Sequence, residues 1–147
     1  GIYDALNKGI ELSTGSFVGI LHSGDTFIDR NSLFKIFNIL ISSSDIDCLS
    51  GTSIFVSKNG RRTSRVYKSS GFSPRMLRFG FMPSHTATFF NRRVFQKFGY
   101  YRLDLKSAAD FEFFLRLFKE KIFKFCTTDC VVTKMTSGGM SSSGLFP

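Results

Sequence analysis

Apolar residues at Ile2, Ala5, Leu6, Gly9, Ile10 and Leu12 share the spacing of one helix face, and Thr14-Gly15 supplies a stop. Phe17-Val18-Gly19-Ile20-Leu21 follows, an unbroken apolar run of strand length that suits burial on both faces. It ends in His22-Ser23-Gly24-Asp25, a polar cluster at the carboxyl end of the predicted strand. A second helix is predicted through Leu33, Phe34, Phe37, Leu40 and Ile41, capped by Asp29 or Asn31 and closed at Ser42-Ser43-Ser44. Helix, buried strand and helix predict an α/β architecture. In open α/β sheets ligands bind beyond the carboxyl ends of strands, which is where Asp25 falls.

The second half of the chain continues the pattern. Cys48–Val56 reads as a strand, Asn59-Gly60 as a hairpin turn, and 61–67 as the returning strand. Residues 69–74 read as loop, 75–79 as a short helix, 86–90 as a strand and 93–98 as a helix stopped by Gly99. Phe111, Phe114, Leu115 and Phe118 form a helical stripe with Asp110 just before it. Two short strands are predicted at 122–125 and 131–134, and the Gly/Ser-rich tail from Ser137 is expected to be mobile.

Composition changes this picture in four ways. A chain of 147 residues that is 42% hydrophobic can bury a core, which excludes dominant disorder and suggests one domain or part of one. Nineteen Phe and no Trp read as core filling. A net charge of +9 calls for an anionic partner: nucleic acid, a membrane surface or a phosphorylated small molecule. Cys48, Cys126 and Cys130 are too few for a disulfide framework and lack the second ligand pair that zinc requires, so buried free thiols in a reducing compartment are expected. No apolar run approaches the ~18 residues of a membrane span, and no signal peptide is expected. The chain lacks an initiator Met and opens inside a helical pattern, so it is expected to be a piece of a longer domain.

Three clusters could carry chemistry. Asp25, flanked by Gly24, could coordinate a divalent cation that bridges two phosphates, or merely cap a turn. Asp110 at a predicted helix start could accept a proton from a hydroxyl nucleophile, or serve as a plain N-cap. His85, leading into a strand, could be a base, a substrate partner, a metal ligand or a structural residue. Arg61, Arg62, Arg65, Lys68, Arg75 and Arg78 form the densest basic region, either a solvated face or a phosphate contact.

In order along the chain, Gly1-Ile2-Tyr3-Asp4-Ala5-Leu6-Asn7-Lys8-Gly9-Ile10, Leu21-His22-Ser23-Gly24-Asp25, His85-Thr86-Ala87-Thr88-Phe89-Phe90 and Ala108-Ala109-Asp110-Phe111-Glu112 resemble the motifs of family 2 glycosyltransferases. Phe98-Gly99-Tyr100-Tyr101 and Gly138-Gly139-Met140-Ser141 are similar to two further segments of that family. The resemblance implies a GT-A fold, a Rossmann-like mixed sheet flanked by helices, with the family's first βαβ portion and its nucleotide-binding strands lying outside this chain. Residues 1–147 would then be the metal and acceptor side of one catalytic domain.

The implied activity is inverting, metal-dependent transfer of a sugar to a hydroxyl of a lipid-linked saccharide, as in bacterial polysaccharide or O-antigen assembly. The implied donor is a nucleotide-diphospho-sugar, UDP-linked by expectation. By the same resemblance Asp25 holds Mn²⁺ or Mg²⁺, Asp110 is the base, and His85 lies near the sugar or acceptor. Tyr3, Asp4, Asn7, Lys8, Ser23 and Gly24 line the nucleotide-sugar site. Gly24 stands where many relatives carry Asp, and His22 where Asn is usual. The implied location is cytoplasmic, at the inner membrane face, without a nucleic-acid partner. The 147-residue chain taken alone is expected to transfer little or no sugar. Two rival readings are a basic nucleic-acid-binding module, supported by the charge, and a degenerate GT-A scaffold without turnover.

Overall fold

In the computed structural model, which describes residues 1–43, 45–57 and 62–136, the predicted first helix is α1 (Ile2–Leu12). The Ser13 N–H closes it on the Gly9 and Ile10 carbonyls, and the Ser13 hydroxyl donates to Ile10 at 2.7 Å. The chain then enters β1 (Phe17–Gly19), β2 (Thr26–Phe27) and α2 (Ser32–Ser42). Asn31 occupies the N-cap position of α2 without a side-chain bond. Asp29 does the capping work instead, accepting from the Asn31 N–H and the Ser32 hydroxyl. The turn expected at Asn59-Gly60, residues Ser44 and Arg61, and the tail with Gly138-Gly139-Met140-Ser141 lie outside the described residues.

Next come β3 (Cys48–Val56), β4 (Thr63–Tyr67) and β5 (Thr88–Asn91). They are followed by α3 (Arg92–Phe98), α4 (Ala109–Lys119) and β6 (Phe125–Thr136). The six strands form one mixed sheet in the order β1-β5-β3-β6-β2, with β4 on the far half of β3. Only β3 and β6 run parallel. Neighbouring residues of one strand face opposite layers. Phe90 and Cys48 pack toward α1, α3 and α4, while Phe89 and Leu49 pack toward α2.

The first layer is aromatic. Phe90, Phe95, Phe113 and Phe114 are fully buried, and Phe95 stacks on Phe113 with centroids 5.3 Å apart. Each such ring contributes roughly 1.5–3 kcal/mol by burial. Arg116 on α4 donates to the Phe98 and Tyr100 carbonyls, the latter at 2.8 Å, and pins the loop that carries Tyr101.

Four expectations need correction. The run 17–21 is a strand only at Phe17–Gly19, hydrogen-bonded to β5 alone, and Leu21 is exposed. Only Val18 of β1 is buried, and among the described residues β1 pairs along one edge, so it is an edge strand rather than one buried on both faces. Of the two short strands predicted near the end, 122–125 is strand only at Phe125, where the single strand β6 begins and runs through 131–134, its alternation interrupted by register shifts opposite Gly51. The Phe surplus is not all core, because Phe34, Phe37, Phe79 and Phe81 are exposed. Of the three thiols only Cys48 is fully buried, and Cys126 and Cys130 are half-buried.

Gly51 is required by close approach. A Cβ there would lie 2.5 Å from Val132 Cγ2 and 2.9 Å from the Cys130 carbonyl oxygen, where strand β6 crosses. Gly51→Ala should therefore destabilise the fold by about 2 kcal/mol, as overpacking does. Urea unfolding measures it, and an unchanged midpoint would contradict the packing described.

Candidate functional site

The turn after β1 is built by a backbone bond from Asp25 N–H to the His22 carbonyl at 3.0 Å. Gly24 takes φ +90°, a left-handed value that an L side chain rarely adopts. Ser23 and Gly24 are exposed at its tip, and Asp25 is half-buried at its foot. Burial pushes the Asp25 carboxyl above the ordinary carboxylate value, while the His22 ring pulls it partly back. A carboxylate in this state gains from a cation. Among the described residues no three His, Cys, Asp or Glu side chains converge on one point. The described residues thus offer no closed cage, and a single carboxylate suits an ion that keeps waters and phosphate oxygens in its shell.

From Asp25 a chain of contacts runs to the second carboxylate. The rings of His22 and His85 lie 5.6 Å apart. His85 Nε2 and the Tyr101 hydroxyl are 2.8 Å apart, both groups buried. Tyr101 is held by Asn7, whose amide donates to the Tyr101 carbonyl at 2.8 Å and accepts from its N–H at 3.0 Å. One helical turn earlier, the Tyr3 hydroxyl donates to Asp110 Oδ1 at 3.2 Å and accepts from the Ala109 N–H at 3.1 Å. Asp110 is therefore not the N-cap of α4. That position is Ala108, at φ 62° with no side-chain cap, and Asp110 sits inside the first turn. Both bonds to its side chain, from Tyr3 and from the Phe111 N–H, fall on Oδ1. Oδ2 is left to take a proton.

His85 is the most constrained group of the set. Burial lowers its pKa to about 4; the Asp110 charge opposes this and His22 adds to it. The ring is neutral near pH 7. Among the described residues the Tyr101 hydroxyl bonds His85 Nε2, with the donor set by the ring tautomer; the tautomer in which Tyr101 donates puts the ring proton on Nδ1. Nδ1 is buried and has no partner among the described residues. In that tautomer the ring holds an uncharged, unsatisfied donor, of the kind a ligand oxygen relieves.

The residues singled out from sequence divide into two groups. Tyr3, Asn7, His85 and Asp110 are brought together, and Asp25 joins them through His22. Asp4 and Lys8 lie on the solvent side of α1 and pair with each other at 2.8 Å. The i, i+4 geometry explains both facts: Tyr3 and Asn7 share one face, Asp4 and Lys8 the next. Tyr101 was quoted within a motif without a role. Its signal, a second Tyr after Gly99, gives no hint that it would meet a histidine.

No protein-family model matches the chain. Over 144 residues it is 27% identical to a PGL/p-HBAD biosynthesis glycosyltransferase of Mycobacterium bovis, covering 97% of this chain and 54% of that protein. Over 143 residues it is 31% identical to an uncharacterized glycosyltransferase of Mycobacterium tuberculosis, covering 97% and 53%. The chain spans about half the length of the curated relatives it matches. The crystal structure of S. aureus TarS residues 1–349 superposes with a TM-score of 0.67 at 17% identity, over 93% of this chain and 40% of that one. The chain has a GT-A glycosyltransferase fold. A second TarS structure, in complex with UDP-GlcNAc, covers 95% of this GT-A chain with a TM-score of 0.66. Within the GT-A sheet described here, no helix among the described residues is long and apolar enough to cross a membrane.

Proposed function

We propose that the protein of which this chain forms part transfers a sugar from a nucleotide-diphospho-sugar to a hydroxyl of a lipid-linked saccharide, with inversion, at the cytoplasmic face of a membrane. The observation that carries the reading is Asp110. It is a half-buried carboxylate, oriented through Oδ1 by Tyr3 and joined through the buried His85–Tyr101 pair to the Asp25 turn. The naming of the relatives as glycosyltransferases supports it, and so does the UDP-GlcNAc bound by TarS.

In this reading Asp110 Oδ2 receives the proton of the acceptor hydroxyl as its oxygen attacks the anomeric carbon from the face opposite the diphosphate. His85 Nδ1–H donates to an oxygen of the sugar or acceptor and, being neutral, does so without drawing charge from Asp110. Asn7 and Tyr3 act through others, fixing Tyr101 and Asp110. Asp25 would hold a Mn²⁺ or Mg²⁺ that, when bound, neutralises charge on the departing diphosphate.

Calorimetry of the full-length protein with UDP-GlcNAc, UDP-glucose and UDP-galactose tests the donor class. One of them should bind at least tenfold more tightly with Mn²⁺ than with chelator present, and Asp25→Ala should abolish that difference. Equal affinity with and without metal would remove the metal from the reading. Absence of binding by any nucleotide sugar, with GDP- and dTDP-sugars included, would remove the reading itself.

A further inference from the structure

The net charge of the chain is not spread evenly. No Asp or Glu occurs between Asp47 and Asp104, a stretch that holds eleven Lys and Arg, more than the surplus of nine carried by the whole chain. Two of those cations, Arg93 and Arg102, pair with acids outside the stretch. Arg65, Lys68, Arg75 and Arg78 are exposed and take part in no ion pair among the described residues. Arg65 and Lys68 line a cavity of about 230 Å³ together with Val66, Met76 and Phe81, and Arg75, Arg78 and Phe79 belong to the 3-10 turn Pro74–Phe79 that brings Met76 to it.

That face is also apolar. Phe79 is 78% exposed, Phe81 51%, Val66 50% and Met76 36%. The turn presenting them is firmly built: Leu77 is buried beneath it, and Gly80 N–H and Phe81 N–H close on the Leu77 and Met76 carbonyls. Exposed rings alternating with arginines on a fixed turn are not explained by core packing. They have the composition of an interfacial segment, with apolar tips for the acyl boundary and cations for headgroup phosphates. Val66 and Met76 extend the apolar part with aliphatic groups that offer no face for a nucleic-acid base to stack on.

The face is also tied to the site. The Tyr67 hydroxyl on β4 donates to the Met82 carbonyl at 2.6 Å, three residues before His85. We propose that the Arg65/Lys68/Arg75/Arg78 face with Phe79 and Phe81 is a docking surface for an anionic lipid bilayer, placing the chain so that the segment leading to His85 faces the membrane. This deepens the transferase reading by assigning the surface that meets a lipid-linked acceptor, and it rests on that reading only for the use made of the docking.

Sedimentation of the full-length protein with vesicles tests it. Vesicles of 30% phosphatidylglycerol in phosphatidylcholine should bind, and pure phosphatidylcholine should not. Arg75→Gln/Arg78→Gln should weaken binding roughly twentyfold, since each cation near such a surface contributes about fivefold. Phe79→Ser/Phe81→Ser should weaken it at least tenfold at unchanged charge. Both variants alter exposed side chains and should retain the parent's thermal midpoint and nucleotide-sugar affinity. Three results would overturn the proposal: equal binding to both vesicle types, binding unaffected by the Phe substitutions, or an oligonucleotide that displaces the protein and binds in an Arg-dependent way. Vesicle binding without any sugar transfer would sink the transferase reading and leave the surface standing. Transfer to a soluble acceptor by a protein that ignores vesicles would do the reverse.

Discussion

Asp110→Asn should lower kcat of the full-length protein by about 10³-fold while leaving donor affinity and thermal stability nearly unchanged. Asn keeps the shape of the side chain and an oxygen that can accept from Tyr3 and from the Phe111 N–H, so the first turn of α4 keeps its bonds. What it loses is the oxygen that takes a proton. Loss of structure and loss of the base are thereby separated, because a merely structural Asp110 would be replaced by Asn with both kcat and the melting temperature unchanged. Steady-state kinetics with saturating donor and acceptor, beside a thermal melt, decides between them. If the Asn variant turns over at the parent rate, Asp110 is not the base, and the degenerate-scaffold reading gains if neither protein turns over.

The sequence made the ends of elements more legible than their neighbours. A polar cluster after an apolar run is a local signal, and it marks the turn between β1 and β2 in which Asp25 lies, six residues beyond Gly19. That β1 pairs on one edge only is set by which strands reach it, and no local pattern reports this. The same division explains the site. Tyr3 and Asn7 are one turn apart on α1, so their shared face could be read from spacing. Their partners, Asp110 and Tyr101, lie 107 and 94 residues away. Tyr101 carries no local signal for that reason: its part in the site depends on His85 arriving from the 3-10 turn His85–Ala87 before β5, and on Arg116 pinning the loop before it. The Phe content misled in the other direction. Hydrophobicity alone assigns Phe to the interior, whereas Phe79 and Phe81 are held outside by a turn whose anchor is Leu77.

Between pH 7 and pH 4 the folded protein should lose about 3 kcal/mol of stability through His85. In the unfolded chain the ring protonates around its ordinary 6.5, and in the folded protein only at about 4. Across that window the unfolded state binds a proton that the native state refuses, so stability falls as pH falls. The contribution is intact above pH 6.5, and its loss is complete below about 4. The groups facing the ring explain why it resists. The Tyr101 hydroxyl occupies Nε2, burial penalises the cation, and the His22 ring opposes a second positive charge; only the Asp110 carboxylate favours protonation. Urea unfolding as a function of pH should therefore show a steeper acid limb for the parent than for His85→Gln, which cannot titrate there. The comparison of slopes cancels whatever the substitution costs at neutral pH, and it also removes the carboxylates common to both proteins. Parallel limbs would mean that His85 takes its proton at the ordinary value in the folded state as well. That result would remove burial as the force that keeps the ring uncharged, and with it the resistance to protonation on which its part as a neutral donor to a sugar oxygen depends in mild acid.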